Sequence, residues 1–183
     1  MVTYISFLRG VNMTGHNSLK MTDLAELYSS QGYLDAETYI QSGNVIFSND
    51  GNLSETVVSM NIEKAILDKF DYKIPVMLRT IPEIYTLFKH NPFLNEDKFD
   101  PAKMAVIFLH DEPSESQRQK VKDVDYPPDK FKISGREIYI FCPNGFGKTK
   151  LYTNFFEKKM GVIGTARNWK TITTILDLAE KRV

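Results

Sequence analysis

One order of local patterns occurs twice along this chain and limits its fold more than any single residue does: strand, helix, strand, turn, strand, helix, strand, helix. In the first half, Thr3 to Arg9 is β-branched and aromatic and stops at Gly10, as a strand does. A helix is predicted over 18–31, with Leu19, Leu24, Leu27 and Tyr28 on one face and Gly32 after it. Tyr39 to Phe47 follows as a hairpin, with Ser42-Gly43 as the expected central pair of a two-residue turn. Asn52 with Glu55 has capping-box spacing and opens a helix to about residue 70. A strand over 74–79 comes next, and Thr80 with Glu83 opens a short helix that ends at Asn91-Pro92. The second half gives a strand over 104–109, a helix capped by Ser114 and Gln117, and a hairpin turning at Ser134-Gly135. A helix over 148–160, a strand over 162–167 and a helix over 168–182 complete it.

Tyr4-Ile5-Ser6-Phe7-Leu8-Arg9 lies over Ala105-Val106-Ile107-Phe108-Leu109-His110, and Arg79-Thr80 lies over Arg167-Asn168. These matches point to an internal duplication. A βαββαβ order folds most simply as a ferredoxin-like plait, a four-stranded antiparallel sheet backed by helices. The expected architecture is therefore α+β: two tandem ferredoxin-like α/β-plait modules (βαββαβα repeated), with boundaries at 1–100 and 101–183.

That topology groups residues that are distant in the chain. Strands one and two of a plait point the same way, so the first loop and the hairpin tip share one end of the sheet. Arg9, Asn12, His16 and Asn17 are thus expected near Gln41, Ser42 and Asn44. In the second module, Gly145, Gly147, Lys148 and Lys150 are expected near Arg167 and Asn168, at the other end. Helix starts carry bare N–H groups and positive partial charge, so the second group suits an anion such as phosphate. Arg9 and the amides of the first suit a carboxylate, a sugar or a base edge. The plainer alternatives are loop shaping by Asn12 and Asn17, a surface ion pair for Arg9, and a solvated helix start for Lys148 and Lys150.

Composition narrows the class of partner. The 183 residues are 42% hydrophobic, enough for a packed core, and Lys plus Arg (23) equals Asp plus Glu (23). Zero net charge argues against a protein that coats nucleic acid, so any anion site is a local patch. Cys142 is the single cysteine, which excludes an internal disulfide and a cysteine-rich zinc site. His16, His90 and His110 are scattered, and no metal or cofactor is expected. Met1 to Arg9 lacks the profile of a signal peptide, and no apolar run approaches the ~20 residues of a membrane span. The expectation is a cytoplasmic protein, monomeric or homodimeric.

The run Asn144-Gly145-Phe146-Gly147-Lys148-Thr149 looks like a nucleotide-binding P-loop, but the leading glycine position is Cys142, so the Walker reading fails. Neither predicted group contains a carboxylate, which leaves paired-carboxylate chemistry without a seat. Cys142 reads as a small buried apolar residue, and Phe155, Phe156 and Trp169 as packing.

Phe7-Leu8-Arg9-Gly10-Val11-Asn12 with Gly15, Tyr39 to Val45, Gly145 to Lys150, and Thr165-Ala166-Arg167-Asn168-Trp169, in this order, resemble the bacterial domain of unknown function 1697 family. The resemblance implies tandem plait modules and carries no settled activity or catalytic residue. Met13-Thr14 departs from it, standing where small residues are usual. The functional expectation is binding of an anionic or phosphate-bearing small molecule in a cleft between modules. The expected ligand residues are Arg9, Asn12, Asn17, Gln41, Ser42, Asn44, Gly147, Lys148, Lys150, Arg167 and Asn168. RNA binding through sheet aromatics (Tyr4, Phe7, Tyr139, Phe141) and an enzyme acting on a phosphorylated metabolite are the alternatives.

Overall fold

The computed structural model describes residues 1–13, 15–96 and 99–182, so Thr14 of the departing loop position lies outside the described residues. The chain divides into two compact units, one made of Met1–Tyr85 with Ile175–Val183, the other of Thr86–Thr174. In the first unit, β1 (Val2–Leu8), α1 (Met21–Ser30), β2 (Leu34–Tyr39), β3 (Asn44–Asn49), α2 (Glu55–Phe70) and β4 (Val76–Thr80) follow in order, then α3 (Ile81–Lys89). The second has β5 (Met104–Leu109), α4 (Glu115–Gln119), β6 (Lys130–Ser134), β7 (Glu137–Phe141), α5 (Thr153–Met160) and β8 (Gly164–Asn168), then α6 (Trp169–Glu180). The division falls within α3 and α6.

Each unit holds a four-stranded antiparallel sheet, ordered β2-β3-β1-β4 and β6-β7-β5-β8, the strand order of a ferredoxin-like plait. The registers repeat as well. Ile5 pairs with Arg79 as Val106 pairs with Arg167, and Leu8 pairs with Val76 as Leu109 pairs with Gly164. Leu8 N donates to Gly43 O at 2.8 Å, and Leu109 N donates to Arg136 O at 2.8 Å. Two modules with one topology, one register and a buried arginine at the same strand position are the structural form of the duplication.

Alternation along the strands sets the two faces of each sheet. In the first unit Tyr4, Leu8, Val45, Phe47, Val76 and Leu78 pack with Leu24, Tyr28, Val58 and Ile62 of α1 and α2. In the second, Ile107, Leu109, Ile138 and Ile140 pack with Phe156 and Met160 of α5. The opposite faces are closed too, and on the second sheet the covering residues belong to its own unit. Tyr139 Oη donates to Leu87 O at 3.0 Å, and the Phe93 and Phe99 rings stack on Phe141. Ile5, Phe7, Ile46 and Met77 of the other sheet are likewise buried.

Several local expectations change. The first hairpin is not a two-residue turn: Tyr39 pairs with Asn44, so Ile40 to Gly43 form a four-residue loop, with Ile40 at φ 52° and Gly43 at φ 73°. The second is the tight one, with Gly135 and Arg136 between paired Ser134 and Glu137. Ser54 rather than Asn52 caps α2, accepting from Val57 N at 3.4 Å. The Ser114–Gln117 capping box forms in full. Glu83 accepts from both Thr80 N and Thr80 Oγ1 at 2.8 Å. The helix expected over 148–160 begins only at Thr153, because Phe146–Lys148 form a 3-10 turn and Thr149 returns to an extended backbone.

Candidate functional site

The first polar group assembles as topology requires, and its amides are used within the protein. Asn12 Nδ2 donates to Gln41 O and to Leu19 O, both at 2.9 Å, while Asn12 Oδ1 accepts from Leu19 N at 2.8 Å. Asn17 Nδ2 donates to Gly10 O at 3.1 Å. Asn12 and Asn17 both hold left-handed backbones, at φ 52° and 47°, a conformation asparagine tolerates better than most residues. Asn44 is buried and donates to Tyr39 O at 2.9 Å and to Ser42 Oγ at 3.0 Å. These contacts clamp the first loop to the hairpin tip. Arg9 sits at the same end, half-buried, its backbone N donating to Pro75 O at 3.0 Å.

The second group separates. Met104 pairs with Phe141 and Ala105 with Asn168, so the ends of β7 and β8 do share one end of the sheet. Arg167, however, is buried on the face carrying Val106 and Tyr139, donating to Thr165 Oγ1 and Ala166 O at 2.8 Å. Burial pulls its guanidinium down to about 10, which leaves it charged at neutral pH. Asn168 Oδ1 accepts from Thr171 N at 2.8 Å and so caps α6.

Lys148 and Lys150 face a different neighbour. They line a cavity of about 350 Å³ with Asn144, Gly145 and Thr149 on one side and residues 125–129 on the other. The second wall is the loop leading into β6, which carries Tyr126 and the cis Pro127-Pro128 bond. Lys150 Nζ lies 5.1 Å from the Tyr126 ring centroid, and that ring meets Phe155 of α5 edge-on at 5.8 Å. Gly145 takes φ 83°, and Lys103 Nζ lies 3.8 Å from where a Cβ on Gly145 would be. Lys103 thus lies beside the glycine loop that carries Lys148 and Lys150.

Two carboxylates also belong here, against the expectation of a carboxylate-free cluster: Asp125 and Asp129 line the same cavity. The cause is long-range, since the loop before β6 folds against the loop after β7. Asp129 is partly engaged, since it and the Thr149 hydroxyl both interact with the buried Cys142 thiol. Burial pushes that thiol up, the Thr149 hydrogen bond opposing and Asp129 adding, which fits an inert packing residue rather than a nucleophile. Lys103 and the 125–129 wall are absent from the residues singled out by sequence. Lys103 was within reach of a register argument, because a strand starting at Met104 opposite Phe141 places it beside Cys142.

Two further depressions lie on the first unit. In the one between α1 and α2, about 360 Å³, Lys64 is paired with Asp68 at 2.6 Å. The other, about 390 Å³, is bordered by Met60, Leu67, Ile74 and Pro75 and is more apolar. Tyr4, Phe7, Tyr139 and Phe141 are all buried, so bases cannot stack on them in this state. Among the described residues, no group of three or more His, Cys, Asp or Glu could hold a metal ion, and no helix is long and apolar enough to cross a membrane.

Over residues 1–139 the sequence matches the family described as Protein of unknown function (DUF1697). The chain belongs to that family. A solved structure of a conserved bacterial protein from Streptococcus pneumoniae is similar in fold, with a TM-score of 0.74 over 97% of this chain and 98% of that one, at 18% identity. No curated protein matches the chain in sequence. The DUF1697 match ends before Asn144, so the glycine–lysine loop lies beyond the matched residues.

Proposed function

We propose that this DUF1697 protein is a cytoplasmic binding protein for a phosphate-bearing small molecule, held at the glycine–lysine loop of the second unit. The observation that carries the reading is that Lys148 and Lys150 line one cavity of about 350 Å³ with Gly145, while Lys103 Nζ lies 3.8 Å from the Cβ position of that glycine. Such a volume suits a small metabolite. Lys148 and Lys150 are exposed, and among the described residues neither has a carboxylate within salt-bridge distance. Ammonium groups of this kind bind phosphate as point charges, with strong dependence on ionic strength.

The test is calorimetric titration with methyl phosphate at low and physiological salt. Saturable binding that weakens with salt, and at least about tenfold in Lys148→Ala plus Lys150→Ala, is the expected result. Affinity unchanged in that double variant would move the site elsewhere, and an absence of binding would end the reading.

A further inference from the structure

The cavity's two signs of charge say what else its ligand carries. Asp125 is exposed and lines the wall opposite the lysines, with Asn144 beside the glycine loop. A carboxylate only accepts hydrogen bonds, so a ligand filling this space must donate to it. A second phosphate at that wall would instead face Asp125 and Asp129, a like-charge penalty that rejects di- and triphosphates. Resting on the phosphate reading above, we propose that the site selects the monophosphate ester of a polyhydroxylated small molecule, with phosphate at the lysines and hydroxyls donating to Asp125. Tyr126, whose ring meets Phe155 edge-on and has Lys150 Nζ 5.1 Å from its centroid, lines the same cavity between the two charged sides.

The experiment compares methyl phosphate, glycerol 3-phosphate, glucose 6-phosphate and inorganic diphosphate by calorimetry on the wild-type chain and on Asp125→Asn. Hydrogen bonds to a charged acceptor predict that glucose 6-phosphate binds at least about tenfold tighter than methyl phosphate, with glycerol 3-phosphate between them and diphosphate no tighter than methyl phosphate. In Asp125→Asn the preference for the sugar ester over methyl phosphate shrinks, and diphosphate gains more than methyl phosphate does. Because Asp125 is exposed, the variant should fold, and its circular dichroism checks that. Equal affinities for the esters, or a preference untouched by Asp125→Asn, would overturn the hydroxyl inference and leave phosphate binding standing. Failure of all four probes would remove both.

Discussion

Gly43 offers a stringent test of how the first module is built. A Cβ there would lie 2.9 Å from Leu8 Cβ and 3.3 Å from Val11 Cβ and Cγ2, and the backbone is at φ 73°. Its carbonyl also accepts the Leu8 amide at 2.8 Å, so the loop cannot simply swing away. Gly43→Ala therefore combines ~1–2 kcal/mol for a side chain in the left-handed region with ~1–3 kcal/mol for overpacking. Gly15 separates the two effects: it has φ 78° and nothing within 4 Å of its would-be Cβ. Gly15→Ala should show the backbone cost alone. At ~2–4 °C per kcal/mol for a chain of this length, the Gly43→Ala midpoint falls by roughly 10 °C and the Gly15→Ala midpoint by roughly half that or less. Differential scanning calorimetry on both variants measures it. Equal shifts would mean that the hairpin tip does not rest on Leu8 and Val11, and the account of the loop clamp would fail.

Two further predictions follow from buried groups. Tyr28 and Tyr139 are raised well above their usual value of 10.0 by burial, Ser6 opposing in the first case and Glu137 adding in the second. The neutral form is favoured in the folded chain, so the contribution of these two groups to stability is fully present below the ordinary tyrosine range and is lost as pH rises above about 10 and the unfolded chain ionises. Urea midpoints between pH 8 and 11 should show this, and Tyr28→Phe should lessen the alkaline slope by up to ~1.4 kcal/mol per pH unit; an unchanged slope would contradict it. Cys142, fully buried with its thiol raised, should resist Ellman's reagent at pH 8 in the native protein and react promptly in denaturant. Rapid native reaction would show that the second unit's core opens around Cys142.

The repeated order was legible because it is written locally. Strands such as Met104–Leu109 are continuous apolar runs, and stop and cap residues such as Gly32 and Ser114 sit where helix ends need them. Pairing of β1 with β3 then forces Asn12 and Gln41 together, and sequence order is enough to foresee it. Local signals failed where two compete. Ser42-Gly43 had the form of a tight turn, yet the ladder stops at Tyr39 and Asn44 and Ile40 is driven to positive φ. Lys148 looked like a helix start, but the Thr149 hydroxyl accepts from Leu151 N at 3.1 Å and holds the chain extended before α5. The site's far wall was illegible for a different reason. Nothing in the spacing of Asp125-Tyr126-Pro127-Pro128-Asp129 reports that it folds against residues 144–150. The buried place of Arg167 follows from strand alternation, which puts it level with Val106 on a buried face.

The most direct measurement is a ¹H–¹⁵N correlation titration of the labelled protein with glucose 6-phosphate. Saturable shifts are expected, concentrated at Gly145, Gly147, Lys148 and Lys150, with Lys103 and Tyr126 following. Shifts centred on the hairpin tip at residues 40–44, or none at millimolar ligand, would contradict that expectation.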